Sequence, residues 1–474
     1  MKFYLEQLIN TLHDSDIEKL KNIDLKRSKI KDMLSMLIAE RHNGVMHMKQ
    51  IESQFNQDSN AFRKMKAVLL ERCMNALAPE GGSQLLELLG RYRLSELFIR
   101  ESKQVISTMA KDKKLSAQAR IAIYRECFFG YMRLPYSMND SESLDKFREG
   151  LLSHYSGADK STLDCILLLN QIFVRIVQSY FQLNISASNY EQFKKELASI
   201  EVRIQANPSD KSLLFLSAIG CVLDFYYTPP NEELRLRFEK LVAQYNTIGA
   251  GYNPDEIFAV NFYRAYYYKI SSRFEESADF FQDLIAQFPI QFAHSPHIIY
   301  RYAVLLAVLG RIDEMKTLID THLKKYLYLF DYDARALACL VYSVYNMLIN
   351  DTEVAYQYMN DFRDSADKKG MYIFNIGIRV FEIVLYYQRA DEKFSEEQLR
   401  RFLRYIKDRS KNVPAFPNLY ILMKNLHRCL QQLIKKNITL AEYEVQVRAI
   451  LPGTQALLAV LLINAAKVRL GGKQ

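Results

Sequence analysis

The residues able to do chemistry in this chain are scattered rather than convergent. Cys73, Cys127, Cys165, Cys221, Cys339 and Cys429 stand far apart, mostly inside apolar helical stretches, and no CxxC pair occurs. A zinc knuckle or dithiol redox site needs paired thiolates at short spacing. These cysteines therefore read as small buried hydrophobes in a reducing compartment. His294 and His297 are three residues apart, a spacing that can set two ligands on one helical face, but Pro296 lies between them and no nearby Cys or carboxylate completes a site. His42 and His47 flank a glycine turn and also lack partners. Gly81-Gly82 and Gly249–Gly251 lack the lysine and the preceding strand of a phosphate cradle, and no GxSxG, GxxxxGK or GxGxxG motif is present. Glu232-Glu233 and Glu275-Glu276 fall in the first turns of predicted helices, where acids complement the helix dipole. The expectation is a chain that is not an enzyme and uses no cofactor or metal.

Binding chemistry is better represented. Arg400, Arg404, Lys407 and Lys411 recur at i, i+4, i+7 and i+11, one face of a helix, with Leu399, Phe402, Leu403 and Ile406 largely on the other. Lys424, Arg428, Lys435 and Lys436 add charge on the next helix, and Asp408 is the sole acid between Arg401 and Lys436. Such a surface attracts an acidic protein, nucleic acid phosphates or an anionic membrane; its plain alternative is a solvated helix face. Near the amino end, a short helix, the break QDSN and a longer helix carrying Arg63, Lys64 and Lys66 resemble helix-turn-helix geometry, in which Arg63 and Lys66 would meet DNA. The same segment can equally cap a repeat array. The tyrosine-rich run around Tyr266 is inter-helix filling, with Tyr263 and Tyr267 the better candidates for exposed partner contacts.

These residues must be positioned by long helices. The chain has 474 residues, 49% hydrophobic, with only 16 Gly and 11 Pro, too few for the turns of a sheet-rich fold. The amino terminus MKFYLEQLINTLHDSD carries acids and amides where an export signal needs an apolar run. Apolar runs such as Ala456 to Ile463 fall short of the roughly 20 residues of a membrane helix. The expected location is cytoplasmic. The net charge of +9 permits an acidic partner without demanding one.

A repeat grammar organises the middle. In Phe262 to Pro289, Ala265 and Tyr268 sit on a first helix, Ser272 at a turn and Phe274 just after it; Ser277, Phe281 and Pro289 follow on a second helix. The small residues let the helices approach, and the aromatics fill the groove to the next pair. Ala303, Gly310, Ile312 and Met315 repeat this pattern, as do Ser343, Asn350 and Ala355. Ser277 to Met315 is 38 residues, and Met315 to Ala355 is 40. Weaker copies extend upstream, giving roughly seven helix pairs between Gly82 and Asp364 at about 40 residues each. Further helices are predicted at 372–387, 396–409 and 419–435, with Pro414 and Pro417 breaking the chain, and a last pair around 440–470. At the amino end, helices are predicted at 24–41 and 60–77, with Ser59 as cap and a short helix ending at Phe55 between them.

On these stations the region Gly82 to Asp364 resembles the tetratricopeptide superfamily. That resemblance implies an all-α superhelical array of antiparallel helix pairs whose concave face holds a peptide, a helix or a neighbouring protein. The repeats are longer than the family's regular unit, Trp is absent, and no basic clamp for a carboxylate can be assigned. The segments LEQLINTLHDSDIEKL, FNQDSNAFRKMKAVLLERCMNAL and LLELLGRYRLSELFIRESKQVI also resemble large helical-repeat proteins of the Bacteroidetes bacteria. This implies a bacterial source and no activity. The expected organisation is an amino-terminal helical region over 1–80, an array over 81–365, and further helical repeats or a cap with the basic stripe over 366–474. The expected function is a protein–protein interaction scaffold. The rival reading is a nucleic-acid-binding regulator that uses the amino-terminal helices or the basic stripe, with the repeats sensing or dimerising.

Overall fold

The computed structural model describes residues 4–12, 14–25, 28–39, 59–79, 82–91, 94–112, 115–132, 141–181, 186–206, 209–248, 254–324, 327, 332–366, 372–389, 391–409, 416–451 and 456–470. Every regular element among the described residues is helical. The chain divides into two compact units, Met1–Asp164 with Lys324–Arg335, and Cys165–Leu323 with Ala336–Gln474. The boundaries near 80 and 365 read from the sequence do not coincide with this division, because the helices on either side of each are packed neighbours.

The first unit contains α1 (Tyr4–Thr11), α2 (Asp14–Lys21), α3 (Ser28–Ala39), α4 (Ser59–Leu77), α5 (Gly82–Arg91), α6 (Ser95–Lys111), α7 (Ala117–Met132) and α8 (Ser141–Leu152). Helices α1, α2 and α3 all pack on α4. Helix α3 buries Ile30, Met33, Leu34 and Leu37. Helix α4 begins at Ser59, the residue expected to cap it. The short helix ending at Phe55 and the turn at 42–44 lie outside the described residues. Helices α5 to α8 then pack in succession, with α5 also against α7.

Helix α9 (Gly157–Phe181) carries the division between units. By length and composition its stretch Gly157–Ser179 is long and apolar enough to cross a membrane, although Asp159, Lys160, Asp164 and Arg175 interrupt its apolar run. Arg148 pairs with its Asp164 at 3.1 Å, and its Arg175 pairs with Glu196 at 2.7 Å.

The remaining helices are α10 (Ala187–Ala206), α11 (Asp210–Tyr227), α12 (Glu232–Ile248), α13 (Pro254–Ile270), α14 (Phe274–Gln287), α15 (Pro289–Ala293), α16 (Pro296–Leu309) and α17 (Ile312–Leu318), which widens into a π turn over Ile319–Leu323. They continue with α18 (Tyr332–Leu348), α19 (Thr352–Ala366), α20 (Tyr372–Gln388), α21 (Glu392–Arg409), α22 (Phe416–Ile434), α23 (Leu440–Ile450) and α24 (Ala456–Arg469). Pro417, expected to break the chain, sits in the first turn of α22, where its missing N–H has no helical partner to lose.

The pairs are closed by one recurring turn. Ser272, Gly310 and Asn350 all have left-handed φ, at 61°, 73° and 63°. The next amide reaches back five residues in each case: Arg273 N–H to Tyr268 O, Arg311 N–H to Leu306 O, and Asp351 N–H to Asn346 O, at 2.8–2.9 Å. This arrangement satisfies carbonyls that a helix end leaves orphaned. The same bond recurs from Asp391 to Tyr386 and from Asn437 to Gln432.

Behind each turn the helices touch at the small-residue stations. Ala265, Ser277, Ala303, Met315, Ser343 and Ala355 are all at 0% exposure. Ser277 Oγ donates to Ala265 O at 2.7 Å, and Ser343 Oγ donates to Ala355 O at 3.1 Å. A further copy, not singled out in the sequence, places Ser395 Oγ 3.1 Å from Ile383 O across α20 and α21. Side chains at the turns also link one pair to the next, through Arg311 with Glu275 and Arg389 with Glu353.

Gly310 isolates the contribution of backbone conformation. An added Cβ there meets nothing within 4 Å, so only the left-handed φ penalises a side chain. Gly310→Ala is expected to lower stability by about 1 kcal/mol, with Gly310→Asn costing less. Thermal melts of the two variants check this; an unchanged midpoint for the alanine variant would show that the turn is not locked.

Candidate binding surfaces

The arrangement with most consequence for binding involves α24. Its sequence, ALLAVLLINAAKVR, is apolar on every side, and Leu457, Ala459, Leu461, Leu462, Ile463, Ala465 and Ala466 are buried. A helix without a polar face needs cover all round. It finds cover by packing on α23, α20 and α16. Asn464 Nδ2 donates to Met347 O at 3.2 Å, on α18. Helices α16, α18 and α20 each run into one of the recurring turns, and α24 touches all three as well as its chain neighbour α23. Met347 O also accepts from Gln388 Nε2 at 2.9 Å. The Arg469 guanidinium lies 4.5 Å from the centre of the Tyr387 ring, and Lys467 pairs with Glu444 at 3.6 Å.

The tyrosines expected to reach a partner do not. Tyr263 and Tyr267 are 5% and 2% exposed. Tyr263 packs edge-on against Phe173 and Phe225, and its hydroxyl is 3.2 Å from that of Tyr226. The Tyr267 hydroxyl donates to Asn231 O at the turn between α11 and α12. Both rings fill the groove between pairs, and their hydroxyls are satisfied there.

The second unit also holds a buried cation that the sequence reading missed. Lys269, on α13, is 6% exposed and its ammonium donates to Arg301 O at 3.2 Å. Arg301, 8% exposed, places its guanidinium 3.8 Å from the Tyr266 ring centre, with the Lys269 ammonium 5.8 Å from that centre. Burial, helped by the Arg301 charge, pulls the Lys269 pKa well below its usual value.

The basic residues read from the sequence lie on exposed positions of α21, of α22 and of the turn that follows α22 wherever they are described. Arg400, Arg404, Lys407, Lys424, Arg428, Lys435 and Lys436 are all exposed, and Lys411 lies outside the described residues. The two helices pack together, and Gln431 Nε2 donates to Glu396 Oε1 at 2.6 Å between them. Arg400 is partly neutralised by Glu396 at 3.3 Å. Burial lowers the pKa of neighbouring His427, the Glu396 charge opposing this and the Arg400 charge adding to it.

At the amino end, Arg63 and Lys64 are exposed on α4, but Lys66 is 6% exposed with its ammonium 5.5 Å from the Phe62 ring centre. Lys66 is therefore buried beside Phe62, and a contact to DNA through it is not supported by its placement.

All six cysteines are free and buried. Burial pushes the Cys73 and Cys127 thiols up to about 12 and that of Cys221 to about 11, far from nucleophilic thiolates. Glu232, Glu233, Glu275 and Glu276 occupy first turns, as read from the sequence. His294 follows the end of α15, and the His297 ring lies 6.1 Å from that of Phe262. Among the described residues, no group of three or more His, Cys, Asp or Glu gathers as a metal site would require. Compared with family models, curated proteins and solved structures, the chain matches none.

Proposed function

We propose that this chain is a non-catalytic scaffold, a tetratricopeptide-like α-solenoid that binds a protein partner along the face shared by its first helices. The single observation carrying this reading is the row α16, α18, α20, whose shared side already engages an apolar helix, α24. The repeating turns at Ser272, Gly310 and Asn350 support it, since they set successive pairs in a common geometry suited to an extended binding face. Proximity crosslinking in cells, followed by reconstitution of the crosslinked pair from purified components, tests the reading. A stoichiometric complex whose crosslinks fall on first helices is expected. Crosslinks confined to second helices, or no reconstituted complex, would sink it.

A second reading rests on the exposed cations of α21 and α22, which suit an acidic protein or nucleic acid. If they bind phosphates, affinity for a mixed-sequence DNA duplex must fall steeply with salt, and Arg404→Glu with Arg428→Glu should reduce it about tenfold or more at low salt. No retention of the duplex by the unaltered chain at 50 mM salt removes this option.

A further inference from the structure

The helix α24 identifies the kind of ligand that its resting place accepts. Helices α16, α18 and α20 are deeply buried, including Ile299, Ala303 and Leu305 on α16, Val344 and Met347 on α18, and Val384 and Leu385 on α20, all at 1% exposure or less. A first helix packed only against its own second helix and adjacent pairs would leave a side open to solvent. Here α24 contributes to the cover on that row, and its own buried residues include Ala459, Ala465 and Ala466, whose lack of bulk permits close helix approach.

Two polar contacts mark this seat, one midway along α24 and one at its carboxy end. Asn464 reaches the carbonyl of Met347 near the end of α18, at 3.2 Å, beside the Gln388 amide that donates to the same oxygen at 2.9 Å. Arg469 lies against Tyr387 at 4.5 Å. Apolar contact supplies the binding energy, while the amide and guanidinium fix direction and register.

We infer that the row α16, α18, α20 is a docking site for an apolar, alanine-bearing partner helix, and that residues 456–469 occupy it in cis as an internal mimic. The inference rests on the scaffold reading and names its site and ligand chemistry. The partner helix must be apolar around most of its circumference, carry alanines where it crosses the row, and present one side-chain amide to Met347 O and one cation to Tyr387. Because the internal helix competes at the high effective concentration of a tethered ligand, a partner gains access only by binding more favourably or by engaging a second surface at the same time.

The test uses the full chain. Leu461→Glu with Ala465→Glu places carboxylates on two of the most buried positions of α24, at 1% and 0% exposure, and should expel it. A fluorescein-labelled peptide of residues 454–470 then serves as the probe. The double variant is expected to bind it at least tenfold more tightly than the unaltered chain, and Asn464→Ala within the peptide should weaken that binding. A variant that keeps its helical circular dichroism and cooperative melt yet binds no peptide overturns the inference.

Should the variant fail to fold, hydrogen exchange of the unaltered chain decides. Amides of 456–469 are expected to exchange at least tenfold faster than those of 336–347 on α18, through opening of the internal helix alone. Equal protection of the two segments overturns the inference by making α24 a fixed part of the core. A partner captured equally by the unaltered and double-variant chains also overturns it while leaving the scaffold reading standing.

Discussion

Phe98→Ala is expected to destabilise the first unit by about 3–5 kcal/mol, the cost of emptying a large aromatic site in a closed core. Phe98 is fully buried, and its ring sits where α5, α6 and α7 converge. A Cβ added to Gly130 would stand 2.1 Å from Phe98 Cζ, and one added to Gly90 would lie 3.7 Å from the Gly130 Cα. The ring thus lies directly on the backbone of α7, a contact that only glycine permits. Gly130→Ala should accordingly destabilise by about 1–3 kcal/mol through overpacking. The two substitutions act on the same space, so their effects should not add. In the Phe98→Ala background, the alanine at 130 has room and should be near neutral, giving a coupling of about 1–3 kcal/mol between the sites. Denaturant unfolding of both single variants and the double variant measures this, and additive effects would contradict the described contact.

Lys269→Met is expected to stabilise the second unit by about 1–3 kcal/mol at neutral pH, against the usual direction of core substitutions. The lysine is buried with Arg301 nearby, and burial favours its neutral form. In the unfolded chain it titrates near its ordinary value of 10.5. Between its lowered folded pKa and 10.5, the unfolded chain therefore holds a proton that the folded chain does not. Stability from this group consequently rises with pH across that window and levels off above it. Methionine fills a similar volume without the ammonium and should remove that rise. Melting midpoints of both proteins from pH 7 to 11 provide the check. Destabilisation by methionine together with an unchanged pH slope would mean that the lysine is held charged by its surroundings.

The turns were legible because they are local chemistry. Ser272, Gly310 and Asn350 stand at fixed distances from small residues, and a left-handed residue between two helices leaves a mark in one dimension. The pair after them was read only as separate helices, because Ile383 replaces the small first-helix residue while Ser395 keeps the buried hydrogen bond. The tyrosines were misread for a related reason. Helical spacing assigns Tyr263 to a face but does not reveal that Phe173, from a helix about ninety residues earlier, covers that face. The resting place of α24 was equally beyond reach. Its all-round apolar character is plain in the sequence and signals burial, but which helices provide the cover depends on contacts more than a hundred residues away, such as Asn464 with Met347. The basic stripe was legible as an exposed face, and its ligand was not, since phosphate and carboxylate attract the same cations.

The placement of α24 has a mechanical consequence. In a row where each helical pair touches only its neighbours, stability propagates link by link and either end can fray independently. A single segment that touches α16, α18 and α20 ties helices far from it in the chain, adding a longer-range coupling to the contacts between sequence neighbours. The helices it touches are coupled only while it stays seated, and its departure returns them to link-by-link behaviour. Whatever dislodges that segment would thereby change how heat or force is shared along the molecule, at positions remote from the contact that dislodged it.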